Sequence, residues 1–210
     1  MVLRVQGSRL IVTVRPHAGP KAIIYFGGNG EDVSSSLESF SKAFPEYALY
    51  LLHYRGYGGS SGSPTEAAIH SDALALFQNT YAQHRDIAVI GRSLGSGVAI
   101  RLASEAPVTR LLLVTPYDSI EEIAAAQYAY LPVRWLLLDR YESWKYAPGL
   151  AIPTTIIAAE NDEVIPRANT EKLLVRFPSN IVSMTVIKGV GHNDIGTANA
   201  YLATLQAALR

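Results

Sequence analysis

The 210 residues of the chain, 49% of them hydrophobic and 17% charged, fit one domain with a large core and exclude a disordered protein. Eighteen basic and eighteen acidic side chains give a formal charge of zero, which argues against nucleic acid or anionic lipid as a partner. The absence of cysteine excludes disulfide bonds, thiolate metal ligands and a cysteine nucleophile.

Seven short apolar runs, rich in Val, Ile, Leu and Tyr, predict strands along the chain. Most of the runs are continuous rather than alternating, which is typical of strands that helices cover on both faces. The runs are residues 10–14, 22–26, 48–54, 87–90, 111–114, 155–159 and 181–187. They predict a mostly parallel sheet of about seven strands.

Apolar residues at helical spacing occupy the intervals between most of these runs. Ser63, Pro64 and Glu66 match a capping box with proline at the first helical position, so a helix is predicted to begin there. Further helices are predicted over residues 94–106, 167–177 and 195–209. The alternation of strand and helix indicates a doubly wound α/β fold.

One interval, residues 117–153, interrupts the alternation because it contains no predicted strand. Two helical segments are expected within it, at 121–128 and 133–141. An insertion at one end of such a sheet can cover a site at the carboxyl ends of the strands. We therefore expect a single domain over residues 1–210, in which the 117–153 segment either forms a lid that shapes the substrate site or simply packs on the domain.

No segment of the sequence is predicted to span a membrane or to direct secretion. The longest stretch without a charged residue, 195–209, is fifteen residues long and contains polar residues, so it is too short and too polar to cross a bilayer. The apolar run at 10–14 is shorter than the core of a signal peptide. A cytoplasmic protein without an integral membrane segment is the expectation.

The sequence Gly-Arg-Ser-Leu-Gly at residues 91–95 is the most informative motif, because a predicted strand precedes it and a predicted helix follows it. A nucleophile elbow requires a serine on a tight turn, with small residues two positions before and after it. Gly91 and Gly95 meet this requirement and make Ser93 the candidate nucleophile. The helix would also direct its positive end and free N–H groups toward an oxyanion. The alternative is a glycine-rich turn with an incidental serine.

A serine hydroxyl needs an imidazole to accept its proton, and the chain has five histidines. His192 follows the last predicted strand and precedes the last predicted helix, where the chain order nucleophile, acid, histidine requires the base. His53 lies at the end of the third predicted strand and is interpreted as a residue that hydrogen bonds hold in place.

The acid that orients this histidine should follow a strand and lie between Ser93 and His192 in the sequence. Asp162 follows the run at 155–159 and is the preferred candidate. Asp118 follows the preceding predicted strand and is the alternative, although it also fits as the cap of the helix at 121–128.

A glycine-rich loop after the second predicted strand, at residues 26–30, is the candidate for the second half of an oxyanion site. Its glycines allow close approach of the backbone, and the Asn29 N–H would complement the Leu94 N–H that follows the serine. An ordinary strand-to-helix turn is the alternative interpretation. Neither a nucleotide cofactor nor a metal is expected, because the sequence has no Gly-Lys dipeptide of a phosphate-binding loop and no histidine pair at metal-ligand spacing.

These motifs resemble those of small, single-domain serine hydrolases of the α/β-hydrolase superfamily, and the resemblance covers essentially the whole chain. Within that superfamily the sequence is most similar to the branch of eukaryotic protein depalmitoylases and their bacterial relatives, particularly at 117–119 and 130–135. Relatives usually carry His-Gly-Asn-Ala where this chain has Gly-Gly-Asn-Gly at 27–30, and the cysteine-rich N-terminus of the eukaryotic depalmitoylases is absent. The other matching segments are residues 55–62, 91–95, 115–119 and 162–192.

The resemblance implies Ser93 as the nucleophile, His192 as the general base and acid, and Asp162 as the residue that orients the histidine. It implies the N–H groups of Leu94 and Asn29 as the oxyanion site. The implied reaction is hydrolysis of a small-molecule carboxylic ester or thioester through an acyl-enzyme, without a cofactor. The sequence leaves three alternatives open: an amidase or aminopeptidase, an acyltransferase, and a non-catalytic binding module with the same fold.

Overall fold

A mixed eight-stranded sheet forms the centre of the computed structural model, which describes residues 1–127 and 137–210. The strands are β1 (Val2–Val5), β2 (Ser8–Arg15), β3 (Lys21–Phe26), β4 (Ala48–Leu52), β5 (Asp86–Arg92), β6 (Arg110–Val114), β7 (Thr154–Ala159) and β8 (Val182–Ile187). Their order in the sheet is β1-β2-β4-β3-β5-β6-β7-β8. The β1–β2 and β2–β4 pairs are antiparallel and the other neighbouring pairs are parallel, so the predicted mostly parallel sheet is confirmed.

Helices cover both faces of this sheet. They are α1 (Leu37–Ala43), α2 (Glu66–Tyr81), α3 (Leu94–Glu105), α4 (Ile120–Gln127), α5 (Ser143–Tyr146), α6 (Arg167–Leu174) and α7 (Asn199–Ala208), with short 3-10 turns at Val33–Ser36, Ala147–Gly149 and Ile195–Thr197. Side chains of α2, α3 and α6 pack in one core layer, and those of α1 and α7 pack in the layer on the opposite face. The doubly wound architecture is therefore confirmed. In the part of the chain that the structure describes, no helix is long and apolar enough to cross a bilayer.

The continuous apolar runs in the sequence arise because the central strands have a core layer on each face. In β3, Ala22, Ile24 and Phe26 pack in the layer of α2 and α3, whereas Ile23 and Tyr25 pack in the layer of α1 and α7. All five residues are at most 1% exposed. Successive side chains point to opposite faces of a strand, so a strand buried on both faces carries no polar position.

Strand β1 was not predicted from the apolar runs, although the seven predicted strands are all present. It joins β2 through a two-residue turn at Gln6 and Gly7, whose φ angles are +48° and +78°. Positive φ at both positions is the geometry of a tight hairpin whose twist matches that of the flanking strands. The strand gives a weak signal because it has only four residues at the edge of the sheet, and Val2 and Arg4 are exposed.

Helix α2 begins at Glu66, so the predicted start at Ser63 and Pro64 is wrong. Thr65 caps the helix instead, because its backbone is extended and its hydroxyl accepts the Ala68 N–H at 3.3 Å. The helices predicted over residues 94–106 and 167–177 are present with shorter bounds. The region at 195–209 divides into a 3-10 turn and α7.

The two helices predicted within residues 117–153 have different outcomes. The helix at 121–128 is confirmed as α4. The second predicted helix begins at residues 133–136, which lie outside the described residues, and its remaining residues, 137–141, are not helical. Tyr141 has a φ of +42°, which a helix does not allow.

Hydrogen bonds tie the returning end of this segment to α4 and to the start of α2. The Ile120 N–H donates to the Arg140 carbonyl at 3.0 Å. The Glu66 carboxylate accepts the N–H groups of Arg140 and Tyr141 at 2.9 and 3.0 Å, and the Glu66 N–H donates to the Asp139 carboxylate at 2.9 Å. The Glu66 side chain therefore fixes the base of the insertion rather than completing a capping box.

Candidate active site

Ser93 occupies the turn between the end of β5 at Arg92 and the start of α3 at Leu94. Its φ of +50° and ψ of −120° lie in a region that residues other than glycine rarely adopt. The Ser93 N–H donates to the Val114 carbonyl at the end of the neighbouring strand β6, at 2.9 Å, and so anchors the strained turn.

Close packing around this turn requires glycine on both sides of the serine. A Cβ atom placed on Gly95 would lie 2.1 Å from the Phe26 carbonyl oxygen, and one placed on Gly91 would lie 2.4 Å from the Gly95 carbonyl oxygen. Both distances are far shorter than van der Waals contact. The approach of α3 to β3, which positions Ser93 beside the 27–30 loop, therefore depends on the missing side chains.

Three side chains singled out from the sequence form a continuous hydrogen-bonded chain. His192 Nε2 lies 2.9 Å from Ser93 Oγ, and His192 Nδ1 lies 2.9 Å from Asp162 Oδ2. The Asp162 carboxylate also accepts the N–H groups of Val164 and Ile165, at 3.0 and 2.7 Å, which fix its orientation. The His192 and Asp162 side chains are 7% and 4% exposed, so their contact is shielded from water.

Asp118, the alternative acid, lies elsewhere. Its carboxylate accepts a hydrogen bond from Asn169 Nδ2 at 3.1 Å. Within residues 1–127 and 137–210, the carboxylate that contacts His192 is that of Asp162. The expectation that Asp118 caps α4 is wrong, because the Ser119 hydroxyl accepts an N–H of the first helical turn at 3.1 Å.

His53 is a buried residue at the end of β4. Its Nε2 atom lies 2.8 Å from the Thr13 hydroxyl on β2, which confirms that a hydrogen bond holds this ring in place. Burial lowers the pKa of His53, so the ring is mainly neutral near pH 7.

The two N–H groups predicted for an oxyanion site are available as donors. Neither the Leu94 N–H nor the Asn29 N–H has a hydrogen-bond acceptor in the described part of the chain. Leu94 is the first residue of α3, where an N–H group has no partner within the helix. Asn29 lines a cavity of about 240 Å³ together with Ser93 and His192.

Two tyrosines that the sequence reasoning missed fix the 27–30 loop from the side of β4. The Tyr54 hydroxyl donates to the Gly27 carbonyl at 2.9 Å, and the Tyr57 hydroxyl donates to Asn29 Oδ1 at 2.8 Å. Burial raises the pKa of Tyr54 well above its usual value, so this hydroxyl keeps its proton. The sequence pattern carried no signal for these contacts, because they depend on β3 and β4 being neighbours in the sheet.

A partly buried ion pair that was also missed lies beside the loop. Arg92 Nη1 lies 2.9 Å from Glu31 Oε2, and Arg92 Nη2 donates to the His192 carbonyl at 3.0 Å. The Tyr25 hydroxyl donates to Glu31 Oε1 at 2.6 Å. These contacts connect the segments that carry the candidate oxyanion donor, nucleophile and base.

This arrangement is suited to proton transfer from a serine hydroxyl. The His192 ring can accept the Ser93 proton at Nε2 while Asp162 holds the proton on Nδ1. Among residues 1–127 and 137–210, no three histidine, aspartate or glutamate side chains are arranged to hold a metal ion.

Comparison with known proteins gives relatives over most of the chain, although no protein-family model matches it. The "Uncharacterized protein Rv2307c" of Mycobacterium tuberculosis (strain ATCC 25618 / H37Rv) is 35% identical over 197 residues, which cover 90% of this chain and 69% of that protein. The lysophosphatidylserine lipase ABHD12 of Danio rerio is 33% identical over 147 residues, which cover 60% of this chain and 38% of that protein. Among solved structures, the Pyrococcus furiosus esterase Pf2001 has a TM-score of 0.81 at 19% identity, covering 100% of this chain and 90% of that one.

These comparisons differ in what they establish. The likeness to the Pyrococcus furiosus esterase at 19% identity shows the α/β-hydrolase fold alone. The mycobacterial relative is similar enough, over enough of both chains, to show common family membership. The chain therefore belongs to the same family as Rv2307c, within the α/β-hydrolase superfamily.

Proposed function

We propose that this protein is a serine hydrolase that cleaves a small-molecule carboxylic ester or thioester through an acyl-enzyme on Ser93. The observation that carries the proposal is the unbroken hydrogen-bonded chain from Asp162 through His192 to Ser93, with 2.9 Å contacts on both sides of the imidazole. The strained turn at the N-terminus of α3 adds support, because it presents the hydroxyl where the helix favours negative charge.

In the first half-reaction, Ser93 Oγ attacks the substrate carbonyl while His192 Nε2 takes the hydroxyl proton. Asp162 keeps the other ring proton on Nδ1 and stabilises the imidazolium that forms. The Leu94 and Asn29 N–H groups donate to the carbonyl oxygen as it becomes an oxyanion. Collapse of the tetrahedral intermediate breaks the bond to the leaving group, which takes the proton from His192.

In the second half-reaction, water attacks the acyl-enzyme with His192 as the general base. The same N–H donors stabilise the second oxyanion, and its collapse releases the acid and restores the Ser93 hydroxyl. The arrangement needs no cofactor for either half. Ester and thioester substrates use identical steps and differ only in the leaving group.

The 117–153 segment is proposed as a lid-like insertion in a single domain over residues 1–210. Its described base is fixed by the hydrogen bonds of Glu66, and its sequence is rich in apolar residues that suit an acyl chain. The resemblance to the protein depalmitoylase branch favours a thioester, whereas the lysophosphatidylserine lipase relative favours a carboxylic ester. Initial rates on matched ester and thioester substrates of several acyl lengths distinguish these two classes.

Covalent labelling by a fluorophosphonate tests the function directly, because only an activated serine reacts at a useful rate. We expect the wild-type protein to be labelled and to hydrolyse p-nitrophenyl acetate. Ser93→Ala should abolish labelling and lower the turnover number by roughly 10⁴-fold or more.

A matched control is Ser104→Ala, which removes an exposed hydroxyl from the same helix. It should retain wild-type labelling and turnover. Absence of labelling in the wild-type protein would indicate a non-catalytic binding module, and equal labelling of Ser93→Ala would assign the nucleophile to another residue.

A further inference from the structure

We propose that Glu31 is a positioning residue that holds the Asn29 N–H in its oxyanion-binding orientation, an inference that rests on the function proposed above. Glu31 follows the 27–30 loop, and its side chain is only 11% exposed. Its carboxylate contacts three groups, which are the Gly28 N–H, the Tyr25 hydroxyl and the Arg92 guanidinium.

The contacts between Glu31 and Gly28 fix the peptide group that precedes Asn29. Glu31 Oε2 accepts the Gly28 N–H at 2.7 Å, and the Glu31 N–H donates to the Gly28 carbonyl at 3.3 Å. Both polar atoms of Gly28 are therefore occupied, and the next N–H along the chain is that of Asn29. A Cβ placed on Gly28 would lie 3.5 Å from Ser93 Cβ, and both residues line the same cavity, so the fixed peptide lies beside the nucleophile.

Arg92 extends this connection to the nucleophile and to the base. The parallel ladder between β3 and β5 ends at the Phe26–Gly91 pair, so backbone pairing does not reach the loop or Ser93. The Arg92–Glu31 contact at 2.9 Å continues the link beyond the ladder, and Arg92 also binds the His192 carbonyl at 3.0 Å. One partly buried carboxylate thus connects three segments whose relative positions set the proposed catalytic geometry.

The positions of the Val33 and Glu31 side chains together explain the glycine at position 27. A Cβ placed on Gly27 would lie 2.5 Å from Val33 Cγ1 and 3.0 Å from Glu31 Cδ. The Glu31 carboxyl group therefore occupies the space into which a side chain at position 27 would extend.

Three substitutions at position 31 distinguish a positioning role that depends on hydrogen bonding from effects of side-chain length or charge. Glu31→Met keeps the length of the side chain but removes both acceptors. Glu31→Asp keeps the charge but withdraws the carboxylate by one methylene, beyond reach of the Gly28 N–H. Glu31→Gln keeps an oxygen that can accept from Gly28 and Arg92 while its amide nitrogen faces the Tyr25 hydroxyl, which can rotate to accept.

Kinetics with p-nitrophenyl acetate and inhibition by a trifluoromethyl ketone provide the test. The ketone forms a bond to Ser93 Oγ, the serine proton passes to His192, and the ketone oxygen becomes an oxyanion. We expect Glu31→Met and Glu31→Asp to lower kcat about 10- to 100-fold while KM stays within twofold of the wild-type value. The inhibition constant of the ketone should rise by the same factor as kcat falls. Glu31→Gln should stay within about fivefold of the wild-type kcat.

Asp72→Asn is the matched control, because it disrupts another buried ion pair, with Arg55 at 2.7 Å. It should lower the melting temperature without changing the ratio of the ketone inhibition constant to KM. Wild-type kcat in Glu31→Asp, or an equal loss in Glu31→Gln and Glu31→Asp, would overturn the positioning role. Failure of the proposed function gives a different result, since the wild-type protein itself would then show neither labelling nor turnover.

Discussion

The Asp162 carboxylate is fixed from two directions, by the His192 ring and by two backbone N–H groups. An amide at this position cannot accept all of these hydrogen bonds, and its NH₂ group would oppose the Nδ1 proton. We expect Asp162→Asn to lower kcat/KM for p-nitrophenyl acetate by at least about 100-fold, since the histidine would adopt the wrong tautomer.

Asp118→Asn is the natural comparison because Asp118 is also a buried carboxylate that follows a parallel strand. Its contact with Asn169 has no part in the proposed reaction, so kcat/KM should stay within about threefold of wild type after correction for the folded fraction. The opposite ranking of the two variants would place the acid after β6 instead of β7.

Residues that carry a local motif were predictable, whereas residues that act through distant partners were not. Ser93 was singled out because its neighbours in sequence create the turn, and His192 and Asp162 because each follows a strand in the required chain order. No local motif singled out Glu31. Its role depends on Arg92, which lies 61 positions away in the sequence.

At the scale of elements, the start of α2 provides a sensitive test of how local hydrogen bonding defines a helix. Thr65 accepts the Ala68 N–H, whereas Ser63 lies outside the helix and is exposed. We expect Thr65→Ala to lower the free energy of unfolding by about 1 kcal/mol, the usual effect of removing an N-cap side chain. Urea denaturation measured by circular dichroism checks this value.

Ser63→Ala serves as the control and should change the free energy of unfolding by less than about 0.5 kcal/mol. A loss of about 1 kcal/mol in Ser63→Ala, with none in Thr65→Ala, would restore the capping box predicted from the sequence. The sequence could not decide whether Ser63 or Thr65 is the N-cap, because both residue types are good caps and both lie just before Glu66. The choice depends on Glu66, whose carboxylate is already bound to the segment that returns from the insertion.

Strand prediction succeeded where burial on both faces imposed a continuous apolar run and failed where it did not. The middle positions of the central strands β3, β4, β5 and β6 have no charged residue because each face has its own core layer. Strand β1 has a single buried residue, Val5, and depends on its hairpin with β2 for its position at the sheet edge. Hydrophobic pattern is therefore informative about the interior of this sheet and weak at its edge.

At the scale of the whole molecule, the sheet order brings the candidate catalytic residues together. The segments after β3, β5, β7 and β8 carry Asn29, Ser93, Asp162 and His192. These strands are parallel, so their carboxyl ends lie at one edge of the sheet. The alternation of strand and helix in the sequence predicted parallel pairing. It did not predict the order of the strands in the sheet, because packing between distant segments decides that order.

Both core layers also contain tyrosines whose hydroxyl groups are cut off from water. Burial raises the pKa of seven of them, and most strongly that of five: Tyr25, Tyr54, Tyr117, Tyr141 and Tyr201. In the unfolded chain these groups ionise near pH 10, so above that pH unfolding releases protons. The stability that the neutral tyrosines contribute is complete below about pH 10 and is lost as the pH rises toward their raised folded values. Between these pH limits, each group lowers the free energy of unfolding by about 1.4 kcal/mol per pH unit.

We therefore expect alkaline unfolding of the whole molecule to be steep above about pH 10, with tyrosinate absorbance rising at the same pH as the loss of circular dichroism. Tyr201→Phe removes one of the five groups, and it should reduce the pH dependence of the unfolding free energy by about 1.4 kcal/mol per pH unit. Ionisation of all the tyrosines near pH 10 in a molecule that keeps its circular dichroism would contradict the prediction. The comparison is informative because the five hydroxyls lie on both faces of the sheet, so their joint ionisation requires both core layers to open together.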